Sequence, residues 1–219
     1  MITADQEEAP RFAPPYRIIA TFFSCLLHPM FVPVYGALFL VYTHPFHFAG
    51  FLTGGKELRI FGTIAVNTIL LPIVTVLMLK KLDFIKSIYM HTQHDRVIPY
   101  MATMIFYFWV FYVFRHQSDI PLMLTIFFLG NFIAIILAFM GNIFMKISMH
   151  MLGMGGLLGL VCTLLNDPFF NPSVALIIAV LLCGIVATSR LILEAHTFRE
   201  LYWGLMIGIF SQVVAFWII

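Results

Sequence analysis

Two histidines sit beside hydroxyl and basic residues in a chain otherwise poor in polar groups: Lys146-Ile147-Ser148-Met149-His150, and Ser189-Arg190 followed by His196-Thr197-Phe198-Arg199-Glu200. A further polar place is Asp95-Arg96. Arginines offer bidentate donors to phosphate-like oxygens, a serine adds a hydroxyl donor, and a helix N-terminus beneath adds backbone N–H groups. Arg96, Ser148 and Arg190 together therefore make an oxyanion cradle. His196 and Glu200 are four residues apart, so on a helix beginning just before them they share a face, and the carboxylate holds one imidazole nitrogen. The other nitrogen is left to attack. His150, brought from a different helix, can protonate a leaving oxygen, so the two histidines divide nucleophilic and acid roles.

The elements that must bring these residues together are membrane helices. The chain has 219 residues, of which 62% are hydrophobic and 10% charged, with a mean hydropathy of +1.00. That composition excludes a water-soluble fold. Crossing about 30 Å of hydrocarbon takes roughly 20 apolar residues, and seven runs approach that length: Ile18–Thr43, Ile60–Leu79, Val97–Phe114, Ile120–Met140, Ile147–Leu165, Pro172–Thr188 and Leu201–Ile219. The expectation is an all-α polytopic bundle of six to seven transmembrane helices, a single domain over 18–219 preceded by a retained polar tail over 1–17. The first run contains His28, Pro29 and Pro33, so it reads as a tilted, kinked or re-entrant span. Short connections at 115–119 and 141–146 make their flanking helices antiparallel. With seven crossings Arg96, Ser148, His150, Arg190 and His196 all face one side, so three separated segments can meet in one site.

Several classes drop out. A net charge of +2 without basic stretches alternating with aromatics excludes nucleic acid as a partner. Cys25, Cys162 and Cys183 lie inside apolar runs at spacings that fit neither zinc nor a disulfide framework. His91 and His94 form an H-x-x-H, but the sequence fixes no further ligand, and His44 and His47 are interfacial side chains. No metal and no cofactor are expected. Gly153, Gly155 and Gly156 serve close helix approach, and Arg199 snorkels to headgroups.

The polar positions resemble those of the type 2 phosphatidic acid phosphatase (PAP2) superfamily. Its third motif, S-R, five residues, H, three residues, D, is matched in every spacing by Ser189-Arg190, His196 and Glu200, with Glu replacing Asp. Its second motif, P-S-G-H, is similar to Ile147-Ser148-Met149-His150, where serine and histidine survive and proline and glycine do not. Its first, K, six residues, R-P, is similar only at Arg96, since Tyr89 stands at the lysine position and proline is delayed to Pro99. The resemblance spans roughly Tyr89 to Gly204 with the motifs in family order. It implies a PAP2-like core in which His196 forms a phosphohistidine, Glu200 orients it, His150 is the acid, and Arg96, Ser148 and Arg190 bind phosphate. Lys86 or Lys146 can supply the absent cation from a displaced anchor.

The implied activity is hydrolysis of a lipid phosphomonoester or diphosphate, of the phosphatidate, phosphatidylglycerophosphate, polyprenyl diphosphate or lipid A class, with membrane lipids as the surroundings. A non-enzymatic binder or scaffold of lipid phosphates is the alternative. A transporter or channel is disfavoured because no span carries a mid-helix Asp, Glu or Lys. Lys and Arg divide nine on the site side (Arg11, Arg17, Lys80, Lys81, Lys86, Arg96, Lys146, Arg190, Arg199) against three opposite (Lys56, Arg59, Arg115). That bias favours a cytoplasmic site. The resemblance implies an outward-facing one in a bacterial inner membrane, and part of the bias belongs to phosphate ligands rather than to topology.

Overall fold

With no water in hydrocarbon to accept or donate hydrogen bonds, an apolar run satisfies its backbone only by coiling into helix. The computed structural model describes residues 11–43, 48, 55–85, 87, 92–165, 167–168 and 170–219. Among them every regular element is a helix: α1 Pro14–Leu26, α2 Val32–Thr43, α3 Lys56–Ala65, α4 Leu71–Lys81, α5 Val97–Arg115, α6 Leu122–Gly141, α7 Met149–Thr163, α8 Ser173–Ile192 and α9 Phe198–Ile218. A π turn, Val66–Leu70, joins α3 to α4 without interruption. Pro72 follows it and has no N–H for the Thr68 carbonyl, so the widened turn absorbs the register change. A 3₁₀ turn at His94–Arg96 leads into α5.

Among the described residues five stretches are long and apolar enough to cross a membrane: Lys56–Lys81, His94–Arg115, Leu122–Gly141, Ser173–Ile192 and Phe198–Ile218, whereas Val32–Thr43 and Met149–Thr163 are shorter. Two of the seven expected runs therefore take other forms. Ile18–Thr43 is not one helix but α1 and α2, parted at Leu27–Phe31 around Pro29. Ile147–Leu165 becomes the 15-residue α7, because Lys146, Ile147 and Ser148 form loop instead of a first turn, with the N-cap Ser148 extended. α1 begins at Pro14, within the stretch read as the polar tail. Residues 1–10 lie outside the described residues, as do His44, His47, Lys86, Tyr89 and His91.

The short connections give antiparallel neighbours as expected. Phe114 at the end of α5 meets Phe128 near the start of α6, with ring centroids 5.3 Å apart, and Tyr100 near the start of α5 meets Phe139 near the end of α6. The closest seam is the parallel pair α7 and α9. A Cβ at Gly155 would overlap the Leu205 carbonyl, one at Gly204 would stand 2.6 Å from the Ser148 carbonyl, and one at Gly159 would stand 2.9 Å from the Ile209 Cα. Gly155 and Gly159 on α7, with Gly204 and Gly208 on α9, thus bring backbone against backbone as small residues do between membrane helices. This seam fixes the first turn of α9 against the first turn of α7, which is where the candidate chemistry lies.

Candidate active site

Each polar segment is held by a specific backbone contact. At the end of α8, Glu194 adopts φ 54°, a left-handed stop more usual for glycine. The Ala195 N–H then donates to the Arg190 carbonyl at 3.1 Å, turning the chain towards His196. The Glu194 carboxylate meets Arg11 and Arg17, each at 3.9 Å. Across the site, the Arg96 guanidinium donates to the Ile147 carbonyl at 3.0 Å, and the Ser148 N–H donates to the Glu200 carbonyl at 3.3 Å. Lys146 Nζ donates to the Ala195 carbonyl at 3.3 Å, and Asn142 donates to the Gln93 carbonyl at 3.0 Å. The three polar segments are therefore stitched together, as the shared side of their connections required.

His196 Nδ1 lies 2.8 Å from Glu200 Oε2. The expected geometry, both residues on one helical face, is not the one found. α9 begins after His196, with Thr197 as its N-cap and Glu200 as the third helical residue of a capping box. Glu200 Oε2 accepts from the Thr197 N–H at 3.2 Å as well as from His196, so the carboxylate that closes the helix also holds the imidazole. Such a cap contributes about 1 kcal/mol to the helix. The Thr-Phe-Arg-Glu spacing is a capping-box signature and was the sequence signal for this helix start.

His196 is buried, 9% exposed. Burial holds its imidazole below the usual range; the positive charges of Arg190, Arg96 and Lys146 act the same way, and the Glu200 hydrogen bond opposes them. A neutral imidazole donates Nδ1–H to the carboxylate and keeps its lone pair on Nε2, which is the nucleophilic form. The Lys146 ammonium is likewise lowered, by burial first and then by Arg96, with Glu200 opposing and Arg190 adding.

Among the described residues eight buried side-chain polar atoms lack a hydrogen-bond partner, and two of them, Ser148 Oγ and Arg190 Nε, belong to the expected phosphate ligands. Ser148 is fully buried, and its hydroxyl neither caps α7 nor meets any other group. Arg190 Nε is also buried with no hydrogen-bond partner. Leaving a buried polar group unmatched costs about 1–3 kcal/mol, and the positive charge of Arg190 acts on both His196 and His150. By contrast Ser189 donates to the Ile185 carbonyl at 2.8 Å and takes no part. A cleft of about 490 Å³ lined by Arg11, Lys146, Glu194, His196, Thr197 and Glu200 among others reaches His196, while Arg96, Ser148, His150 and Arg190 are not part of its wall.

His150 is equally buried, and its Nε2 lies 3.1 Å from the Ser24 carbonyl. Its neighbour is His28, at a ring-centroid distance of 5.2 Å. Neither Ser24 nor His28 stood out as a site residue from sequence. The available signal was an ionisable group beside proline within an apolar run. Of the positions singled out beforehand, Arg96, Lys146, Ser148, His150, Arg190, His196 and Glu200 come together, while Lys86 lies outside the described residues. Among the described residues no three potential metal ligands cluster.

No family model, curated protein or solved structure matches this chain.

Proposed function

We propose that the protein is a PAP2-like integral membrane phosphatase that hydrolyses a lipid phosphomonoester or diphosphate through a phosphohistidine on His196. One observation carries this reading: Ser148 Oγ at the N-terminus of α7 and Arg190 Nε in the last turn of α8 are buried without partners, and the Ser148 N–H donates to the carbonyl of Glu200, whose carboxylate holds His196 Nδ1. A phosphoryl group supplies the acceptors those donors lack, and the helix N-terminus favours its charge. His196 Nε2 attacks phosphorus, the bond to the leaving oxygen breaks, and His150 protonates that oxygen. Water then attacks the phosphohistidine, passing its proton to His150. Arg96 and Lys146 add positive charge, and Lys146 stands in for the lysine missing at Tyr89.

We further propose seven crossings. α1 starts at the site end, where Arg17 meets Glu194, and α2 ends at the opposite one, where Leu40 and Val41 pack with Phe114, Leu124 and Leu164; together they make one broken span. Phosphate release from a panel of lipid phosphates by purified protein in detergent, lost in His196→Ala, tests the activity. Binding of the same lipids without release would favour a lipid-phosphate carrier or scaffold. The site faces outward, in a bacterial inner membrane. A membrane-impermeant thiol reagent should label Gln93→Cys in intact cells and spare Gly55→Cys; the opposite pattern overturns the assigned side.

A further inference from the structure

We infer that the break between α1 and α2 belongs to the active site and that His28 is a positioning residue which aims His150, an inference that rests on the phosphatase reading above. A helix break frees carbonyls that hydrocarbon cannot satisfy, so at membrane depth it persists only where protein groups take them up. Here they are taken up selectively. The Leu26 carbonyl accepts from the Tyr35 hydroxyl at 2.9 Å, and the Ser24 carbonyl accepts from His150 at 3.1 Å. The turn is closed by the Met30 N–H, which donates to His28 Nδ1 at 3.4 Å.

These contacts decide the tautomer of the acid. A carbonyl can only accept, so the proton of neutral His150 sits on Nε2 and its lone pair on Nδ1. The acid form is the imidazolium, which keeps its Nε2–H on the Ser24 carbonyl and carries the proton for the leaving group on Nδ1. As the phosphorus–oxygen bond breaks, its electron pair goes to the leaving oxygen, which takes the Nδ1 proton. His150 returns to the Nε2–H tautomer that Ser24 already holds. In the second step Nδ1 accepts a proton from the attacking water, and the cycle closes without any other group.

One hydrogen bond does not stop an imidazole from swinging about it. The His28 ring supplies the second constraint, packing on His150 with planes inclined at 82°. Its own Nδ1 is occupied by Met30, so it acts as a wall rather than as a proton relay. The positive charge of Arg190 acts on both rings. Nothing in the hydropathy of Leu26-Leu27-His28-Pro29 requires such an arrangement.

The test compares two substrates on the full chain in detergent: a lipid alkyl phosphate, whose leaving alkoxide needs the acid, and p-nitrophenyl phosphate, whose leaving group does not. In a single turnover, which reads only the leaving-group step, His28→Ala should slow alkyl phosphate cleavage about ten-fold or more, with its concentration dependence little changed, and alter aryl phosphate cleavage less than about two-fold. His28→Phe, which keeps a flat ring against His150, should recover most of the lost rate. Should the alanine variant fold poorly, His28→Leu fills the space without a flat ring and should show the same selective loss. Equal losses on both substrates, no loss on either, or a phenylalanine variant as impaired as alanine or leucine overturns the inference alone. Wild-type protein silent on both substrates overturns the phosphatase reading and this inference with it.

Discussion

His196 and His150 are mounted by opposite means. His196 is gripped from within its own segment, by a carboxylate four residues on that also caps α9. His150 is gripped from 126 residues away, by the backbone of α1. A carboxylate is a charged acceptor: in the proposed reaction it stabilises the positive charge that the His196 ring takes on when Nε2 attacks phosphorus, and it orients the ring. A carbonyl is a neutral dipole; it fixes the tautomer while leaving the proton easier to give away. In the proposed roles the stronger acceptor serves the nucleophile and the weaker one serves the acid, and pairs of titratable groups whose surroundings differ in this way are how acid and base assignments are made in enzymes.

The sharpest way to break the comparison is to remove each ring. His196→Ala should lower phosphate release by at least about a thousand-fold on every substrate while the detergent-solubilised protein keeps its helical signal, because the covalent route is gone. Substantial retained turnover would mean that the nucleophile is another group. His150→Ala should cost about a hundred-fold on alkyl phosphates and clearly less on diphosphates, whose leaving phosphate needs little protonation. A uniform loss across leaving groups would strip His150 of the acid role.

A smaller effect sharpens the contrast between the two mounts. Because the His196 imidazole is held below its usual range, kcat/KM should fall on acidification only below the ordinary histidine value of about 6.5, as protonation removes the attacking lone pair. Glu200→Gln withdraws the one influence that raises that pKa. The acid limb should then move to lower pH while the plateau drops about ten- to a hundred-fold, the usual size for loss of an orienting partner. A limb that moves upward would show that Glu200 does not act on His196.

The seam between α7 and α9 explains why the two mounts meet at all. Gly155 and Gly204 let the two backbones touch, so the Ser148 N–H reaches the Glu200 carbonyl at 3.3 Å. The spacing of these glycines is readable as a close-packing pattern, but their partners are not. A small residue permits close approach without specifying which helix will come near.

By itself the sequence determined the helical class, most of the apolar runs and the pairing of His196 with Glu200, because apolar length and four-residue spacing are local properties of the chain. It also placed Arg96, Ser148, His150 and Arg190 at one end, since the connections between crossings fix relative sides. Only the tertiary structure decided that His196 stands outside α9 rather than on it, that α7 starts after Ser148, and that the first apolar run breaks at Leu27–Phe31 to set Ser24 and His28 against His150. The physical reason is that every residue carries a carbonyl, so a backbone acceptor leaves no mark in side-chain identity. Hydropathy likewise reports that a run is apolar and is silent on where it stops being helix.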